Sequence, residues 1–186
     1  MVCSGDKTKL LIVSLQAARA EKITPIEKVF RVNVCGENKC ESTSEKLLGI
    51  VVNNQATWKN HLYGDSDNLG LLKQLSQRVG MLKRLRKFIL QNKFKMALDG
   101  IFTSKLIYGI TVWGGIWGLP GSLDETNRKS TSITKEDMRK LQVLQNSALR
   151  TQTGSRYDVP TATLLSKTGQ LSVQLVIPLS PHFQTL

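Results

Sequence analysis

Apolar and polar positions divide this chain into two regimes. Before Asn68 the apolar residues come in short runs. Lys9-Leu10-Leu11-Ile12-Val13 is the first. Val29-Phe30-Arg31-Val32-Asn33-Val34 alternates, and the Gly36-Glu37-Asn38 that follows suits a hairpin turn. Lys46-Leu47-Leu48-Gly49-Ile50-Val51-Val52 is more fully apolar and is stopped by Asn53-Asn54. Runs of this length predict strands over residues 9–13, 29–34 and 46–52, with Gln16-Ala17-Ala18-Arg19-Ala20 as a helical scrap or loop.

After Asn68 the period lengthens to about 3.6. Across residues 69–91, Leu72, Leu75, Val79, Leu82, Leu85 and Ile89 recur at intervals of three and four and fall on one side of a helix. The other side carries Lys73, Ser76, Gly80, Lys83, Arg84 and Lys87. A loop near Asn92 leads to a second predicted helix, residues 94–113. It is apolar on most sides (Phe94, Ala97, Leu98, Ile101, Leu106, Tyr108, Val112) and is expected to be the buried one. Gly114-Gly115 and Gly118-Leu119-Pro120-Gly121 end it, and residues 122–132 read as a polar linker. Thr134 with Asp137 forms a capping box for a third helix to about Thr151, with Met138, Leu141, Leu144 and Ala148 inward. Pro160 and Gly169 bracket a last short helix over residues 161–167, and residues 175–186 lose any helical pattern.

Charge then changes the picture. The 186 residues carry 26 Lys and Arg against 14 Asp and Glu, a net +12 that points to a polyanionic partner. From Gly70 to Ile110 nine basic residues face a single acid, Asp99, so this stretch holds eight of the twelve surplus charges. Surface helices ordinarily interleave both signs, because opposite charges four apart support them. An almost uncompensated basic face fits nucleic acid better than a merely solvated face. Ser76 and Gly80 inside it would let a sugar-phosphate backbone come close.

Other chemistries find little support. Cys3, Cys35 and Cys40 cannot build a disulfide framework. Cys35 and Cys40 with His61 and His182 make a poor zinc set beside ordinary reduced thiols, so no metal site is expected. A Cys/His nucleophile pair is weaker than a packed thiol and a packing or hydrogen-bonding His61. Gly114, Gly115 and Gly118 follow a helix rather than precede one, which disfavours a phosphate-cradling loop. Trp113 and Trp117 fit a core better than base stacking. No stretch reaches the roughly 18 uncharged apolar residues of a membrane span. The start, Met1-Val2-Cys3-Ser4-Gly5-Asp6, lacks a leader pattern, so an intracellular protein, nuclear or cytoplasmic, is expected.

Several strings, in order, carry a family resemblance. Asp6-Lys7-Thr8-Lys9-Leu10-Leu11 resembles the palm strand that follows the catalytic aspartates in non-LTR (LINE-type) retrotransposon reverse transcriptases. Lys46-Leu47-Leu48-Gly49-Ile50 resembles that family's primer-grip strand, followed as there by a Trp and a His, here Trp58 and His61. Tyr108-Gly109 with Val112-Trp113, Leu141-Gln142-Val143-Leu144-Gln145-Asn146 with Ala148-Leu149-Arg150, and Thr153-Gly154 resemble its thumb. Each string is weak alone, and their order and spacing are specific from Asp6 to Val173.

The resemblance implies an α+β chain, with a small N-terminal antiparallel sheet (a palm remnant) leading into a three- to four-helix thumb-like bundle. The implied division is a palm remnant over 1–62, a helical region over 63–170 and an irregular tail over 171–186. Leu48 and Gly49 would match the primer grip. Lys73, Ser76, Gly80, Lys83, Arg84 and Lys87 would hold an RNA/DNA or RNA duplex without reading its sequence. The departure matters more. The family's Tyr-x-Asp-Asp, which helps hold its Mg²⁺ ions, occurs nowhere in the sequence, nor does any Asp-Asp pair. Asp65-Ser66-Asp67 and Glu136-Asp137 sit in a loop and a first helical turn. No catalytic residue, no cofactor and no nucleotide incorporation are therefore expected of the chain alone. The competing reading is a degenerate or repurposed open reading frame, a protein-interaction module with a partner at an exposed sheet edge and no nucleic-acid role.

Overall fold

Gly36 has a φ of 87°, a conformation open mainly to glycine, and it turns the alternating run back on itself. The result is an antiparallel hairpin of β1 (Arg31–Val34) and β2 (Glu37–Cys40), paired from Val34↔Glu37 to Arg31↔Cys40. Glu37 and Asn38, expected in the turn, already belong to β2. The structure, a computed structural model, describes residues 8–13, 31–34, 36–54, 57–110 and 133–173. The helical scrap expected at 16–20 lies outside them, as do the linker at 122–132 and the tail from 174.

The strand expected over 46–52 is instead a second hairpin. β3 (Ser44–Leu47) and β4 (Ile50–Asn53) pair antiparallel around the two-residue turn Leu48-Gly49. Their φ values are 49° and 85°, and a type I′ turn needs positive φ at both central positions. Leucine rarely occupies that region, so an unbroken apolar string concealed the turn. Residues 9–13 form no extended strand. Leu10 makes a single parallel bridge to Glu41, and its carbonyl accepts from the Ser42 N–H at 2.9 Å. Two separate two-stranded antiparallel sheets thus precede the helices, and the fold is α+β.

A short helix the pattern did not predict, α1 (Lys59–Tyr63), joins the second hairpin to the helices. It buries His61 and Leu62, and the Val51 N–H of β4 donates to His61 Nδ1 at 3.3 Å. The loop to α2 (Leu71–Leu85) folds so tightly that Gly70 lies against the Tyr63 backbone. A Cβ on Gly70 would stand 2.1 Å from the Tyr63 carbonyl carbon.

α2 ends about two turns before the expected break near Asn92. Its last bonds tighten to the i→i−3 pattern, Lys87 N–H to Arg84 and Phe88 N–H to Leu85, and Leu90 is extended. Ile89 still bonds back to Leu85, which explains why the apolar period outlasts the helix. Leu75, Val79 and Leu82 are buried as expected, whereas Leu72, Leu85 and Ile89 are half-buried.

The helix expected over 94–113 is α3 (Gln91–Leu98), a π turn (Asp99–Thr103) and α4 (Ser104–Ile107), broken by Tyr108 and Gly109. Phe94, Leu98, Phe102 and Leu106 are buried at intervals of four. Such spacing drifts about 40° per step on an ideal helix, and the wider π turn holds back part of that drift. Met96 and Tyr108 are exposed, so the segment is one-sided rather than buried all round. Trp113, Trp117 and Gly114, Gly115 and Gly118 lie outside the described residues.

The capping box forms as expected. The Asp137 N–H donates to Thr134 Oγ1 at 3.2 Å, and the Thr134 N–H donates to Asp137 Oδ2 at 3.0 Å. It starts α5 (Lys135–Thr153), which Gly154 ends in the left-handed region at φ 70°. α6 (Thr161–Thr168) follows and ends at Gly169. The core combines these pieces: Leu62, the inner face of α2, the α3–α4 row, Met138, Leu141, Ala148 and Leu149 of α5, and Val173.

Candidate nucleic-acid interface

α2 and α5 run in the same direction. At their N-terminal ends the Tyr63 hydroxyl donates to Asp137 Oδ1, and Lys140 Nζ donates to Tyr63 Oη at 2.9 Å while lying 4.9 Å from its ring centroid. At their C-terminal ends the Arg86 guanidinium donates to the Thr151 carbonyl, and Gln91 Nε2 donates to the Gln152 carbonyl at 2.6 Å. These tethers set which faces of the two helices look outward.

The outward face of α2 carries the residues singled out from the sequence. At about 100° per residue, Lys73, Ser76, Gly80, Lys83, Arg84 and Lys87 fall within roughly 100° of arc. Lys73, Ser76, Lys83, Arg84 and Lys87 are exposed and Gly80 is half-buried. A Cβ on Gly80 would meet nothing within 4 Å, so the helix surface is open there. Among the described residues the ion pairs are Lys9–Glu45, Lys39–Glu37, Arg139–Glu136 and Arg156–Asp158, and none involves the stripe. From Lys73 to Arg84 the stripe runs about 16 Å, the axial length over which a duplex presents about ten phosphate charges.

Not every cation counted in the sequence is available. Arg78 donates to the Ile101 carbonyl and Arg86 to the Thr151 carbonyl, so both brace helix backbone. Lys105 is half-buried; burial, then the nearby Arg78 and Lys46, lower its pKa. Six of the nine basic residues, Lys73, Lys83, Arg84, Lys87, Lys93 and Lys95, remain exposed.

Near its N-terminal end the stripe borders a groove of about 580 Å³ between α2 and α5. Leu72, Lys73 and Ser76 line one wall, and Glu136, Arg139, Lys140, Val143 and Leu144 the other. Arg139 pairs with Glu136 through Nε at 2.9 Å and Nη2 at 3.0 Å. Lys140 is held by the Tyr63 hydroxyl near Asp137 and Glu136, which leaves Lys73 as the groove's cation outside any ion pair or carboxylate network among the described residues. Sequence reasoning missed Arg139 and Lys140. Their own helix shows a mixed-sign face, and only the packing of α5 beside α2 brings them to the stripe.

Leu48 and Gly49 form the tip of the second hairpin, with Leu48 82% exposed. The Tyr108 hydroxyl donates to the Leu48 carbonyl, and Lys105 Nζ lies 5.7 Å from the Tyr108 ring centroid. The tip therefore sits beside the end of α4, away from the exposed stripe but near Lys105 and Lys46.

The acidic residues weighed against a metal-dependent chemistry have structural work. Asp65 accepts from Ser44 Oγ at 2.6 Å and from the Asn68 N–H at 2.7 Å, and the Ser44 bond leads in holding its carboxyl below the usual range. Burial pushes Asp137 up, but hydrogen bonds from Tyr63 and Thr134 outweigh it and its pKa is lowered. Glu136 is engaged by Arg139. Among the described residues no three His, Cys, Asp or Glu side chains converge on a point where an ion could sit, so this donor set does not fit a Mg²⁺ pair. His61 is buried, and burial, reinforced by Lys105, lowers its pKa to about 4. Cys40 is a free exposed thiol, while Cys3, Cys35 and His182 lie outside the described residues. Among the described residues no helix is long and apolar enough to cross a membrane.

Compared with known proteins, the chain matches no family model, no curated protein and no solved structure.

Proposed function

We propose that this chain is the nucleic-acid-holding part of a non-LTR retrotransposon reverse transcriptase, catalytically incomplete on its own, which binds RNA/DNA or RNA duplex through phosphates. The observation that carries the reading is the stripe on α2: exposed cations, none ion-paired among the described residues, with open space over Gly80. Phosphate contacts position a duplex and carry no base information, so binding would be indifferent to sequence. The hairpin tip at Leu48 and Gly49 occupies the place in chain order of the family's primer grip.

Salt dependence tests this directly. Each phosphate neutralised contributes about 0.9 to the slope of log K against log salt. Replacing Lys83, Arg84 and Lys87 together with Gln should flatten the slope by roughly two to three units, equally on unrelated duplexes. Fold stability should move by about 0.5 kcal/mol or less, since the side chains are exposed. An unchanged slope and affinity in the triple variant would reduce the stripe to a solvated face.

In that event a second reading leads, a repurposed reading frame serving as a protein-interaction module. It draws on Leu47 and Leu48, 67% and 82% exposed at one hairpin tip, and on strand edges that lack further pairing partners among the described residues.

A further inference from the structure

The C-terminal ends of α2 and α5 meet, and each is followed by a turn that raises an aromatic ring into solvent. Phe88 lies between Arg86 and Gln91, the two residues tied to the carbonyls of Thr151 and Gln152. Tyr157 lies in the turn after Gly154, where a Cβ would stand 2.7 Å from Arg86 Nη2. Arg150 Nη2 donates to the Val159 carbonyl at 3.1 Å and folds that turn back on α5. Phe88 and Tyr157 thus share one end of the helix pair, and each is 85% exposed. Other aromatic side chains have employment: Phe94 and Phe102 are in the core, and the hydroxyls of Tyr63 and Tyr108 are bonded.

The surroundings indicate what such rings would meet. From Lys83 to Lys95 the chain holds six basic residues and no acidic one. Lys83, Arg84, Lys87 and Lys93 are exposed there. Phe88 stands among these cations, whereas Tyr157 is flanked by Arg156 and Asp158, which pair with each other at 3.7 Å. Exposed π faces beside such a basic stretch are what unpaired nucleotides require, since bases stack on rings while phosphates meet the charges. We infer that this end of the molecule binds single-stranded nucleic acid, with Phe88 and Tyr157 stacking on unpaired bases where a strand leaves a duplex. The inference extends the proposed duplex binding, on which the duplex part of it rests. An acidic protein partner would also bury Phe88 with its exposed neighbour Leu90, and competition by poly-glutamate separates it from a nucleic-acid strand.

Three ligands separate the possibilities: a blunt duplex, the same duplex with a three-nucleotide overhang carrying 2-aminopurine, and that overhang strand alone. The overhang should tighten binding about a hundredfold over the blunt duplex, at about tenfold for each of two stacked bases, and should change the 2-aminopurine emission. Phe88→Ala and Tyr157→Ala should each remove about tenfold of that gain and leave blunt-duplex affinity unchanged, and both rings are exposed enough for the variants to fold. Leu90→Ala, which removes an exposed side chain without a π face, should retain the gain. No overhang gain in the parent, or a gain surviving both ring truncations, overturns the inference while duplex binding stands. Equal loss in Leu90→Ala, or displacement of the strand by poly-glutamate as readily as by oligo-dT, overturns it too, as a plain apolar or anionic-protein surface. A parent that ignores the blunt duplex yet binds the single strand through Phe88 and Tyr157 sinks the duplex reading and upholds the stacking site.

Discussion

Gly80→Leu separates what the stripe does for the fold from what it does for a ligand. Gly80 sits in α2 with helical φ and with nothing within 4 Å of a built Cβ. Removing a mid-helix glycine should therefore stabilise the protein by up to roughly 1 kcal/mol. For a chain of this size that raises the melting midpoint by about 2–4 °C. The same side chain would stand in the arc between Lys73 and Arg84. Side chains carry the helix surface from a Cα radius of about 2.3 Å out to about 5–6 Å, so a leucine adds roughly 3 Å of stand-off. A phosphate backbone held away by that distance should lose one or two of the contacts beside it. At about 0.9 slope units per contact, the loss at 0.15 M salt is about 5-fold for one and 30-fold for two. Gly80→Ala, with far less reach, should show the stabilisation and little of the binding defect. Thermal unfolding and fluorescence anisotropy on a labelled duplex, run on the same preparations, read both effects. A Gly80→Leu protein that is more stable and binds duplex as tightly as the parent, with an unchanged salt slope, refutes close approach at this face.

Three further outcomes test the fold. Gly70→Ala drives a Cβ into the Tyr63 backbone and should cost about 1–3 kcal/mol of stability, read as a lower urea midpoint, because backbone rather than a flexible side chain must yield. His61, ordinarily near 6.5 and held near 4 here, should make stability fall as pH drops below about 6.5. The unfolded chain takes up that proton first, and the loss is complete below about 4, at roughly 3 kcal/mol. His61→Asn, which keeps an acceptor for the Val51 N–H, should flatten the urea midpoint between pH 7 and 5, and a parent with no slope in that window contradicts the buried neutral imidazole. Thr134→Ala removes the side-chain half of the α5 capping box and should lower stability by about 1 kcal/mol, read by chemical unfolding.

What the sequence determined by itself was whatever local chemistry dictates. The period of α2, the Thr134–Asp137 cap, the Gly169 stop and the α+β order follow from residues within one turn of each other. So does the stripe, because residues three and four apart share a helix face whatever lies beneath. The Gly154 stop, which lets α5 run past the expected end at Thr151 to Thr153, was not read from the sequence. The tertiary structure decided what depends on distant partners. Leu48 enters a left-handed turn, with the Tyr108 hydroxyl on its carbonyl, and the apolar string marks that turn only at Gly49, whose positive φ completes it. Arg78 and Arg86 look like binding cations in one dimension and are spent on the carbonyls of Ile101 and Thr151, 23 and 65 residues away. The groove between α2 and α5, and the meeting of Phe88 with Tyr157 at one end, exist only because the two helices pack in the same direction. That direction is set by the Tyr63–Asp137 and Arg86–Thr151 tethers, contacts between residues too far apart in sequence for any periodicity to couple.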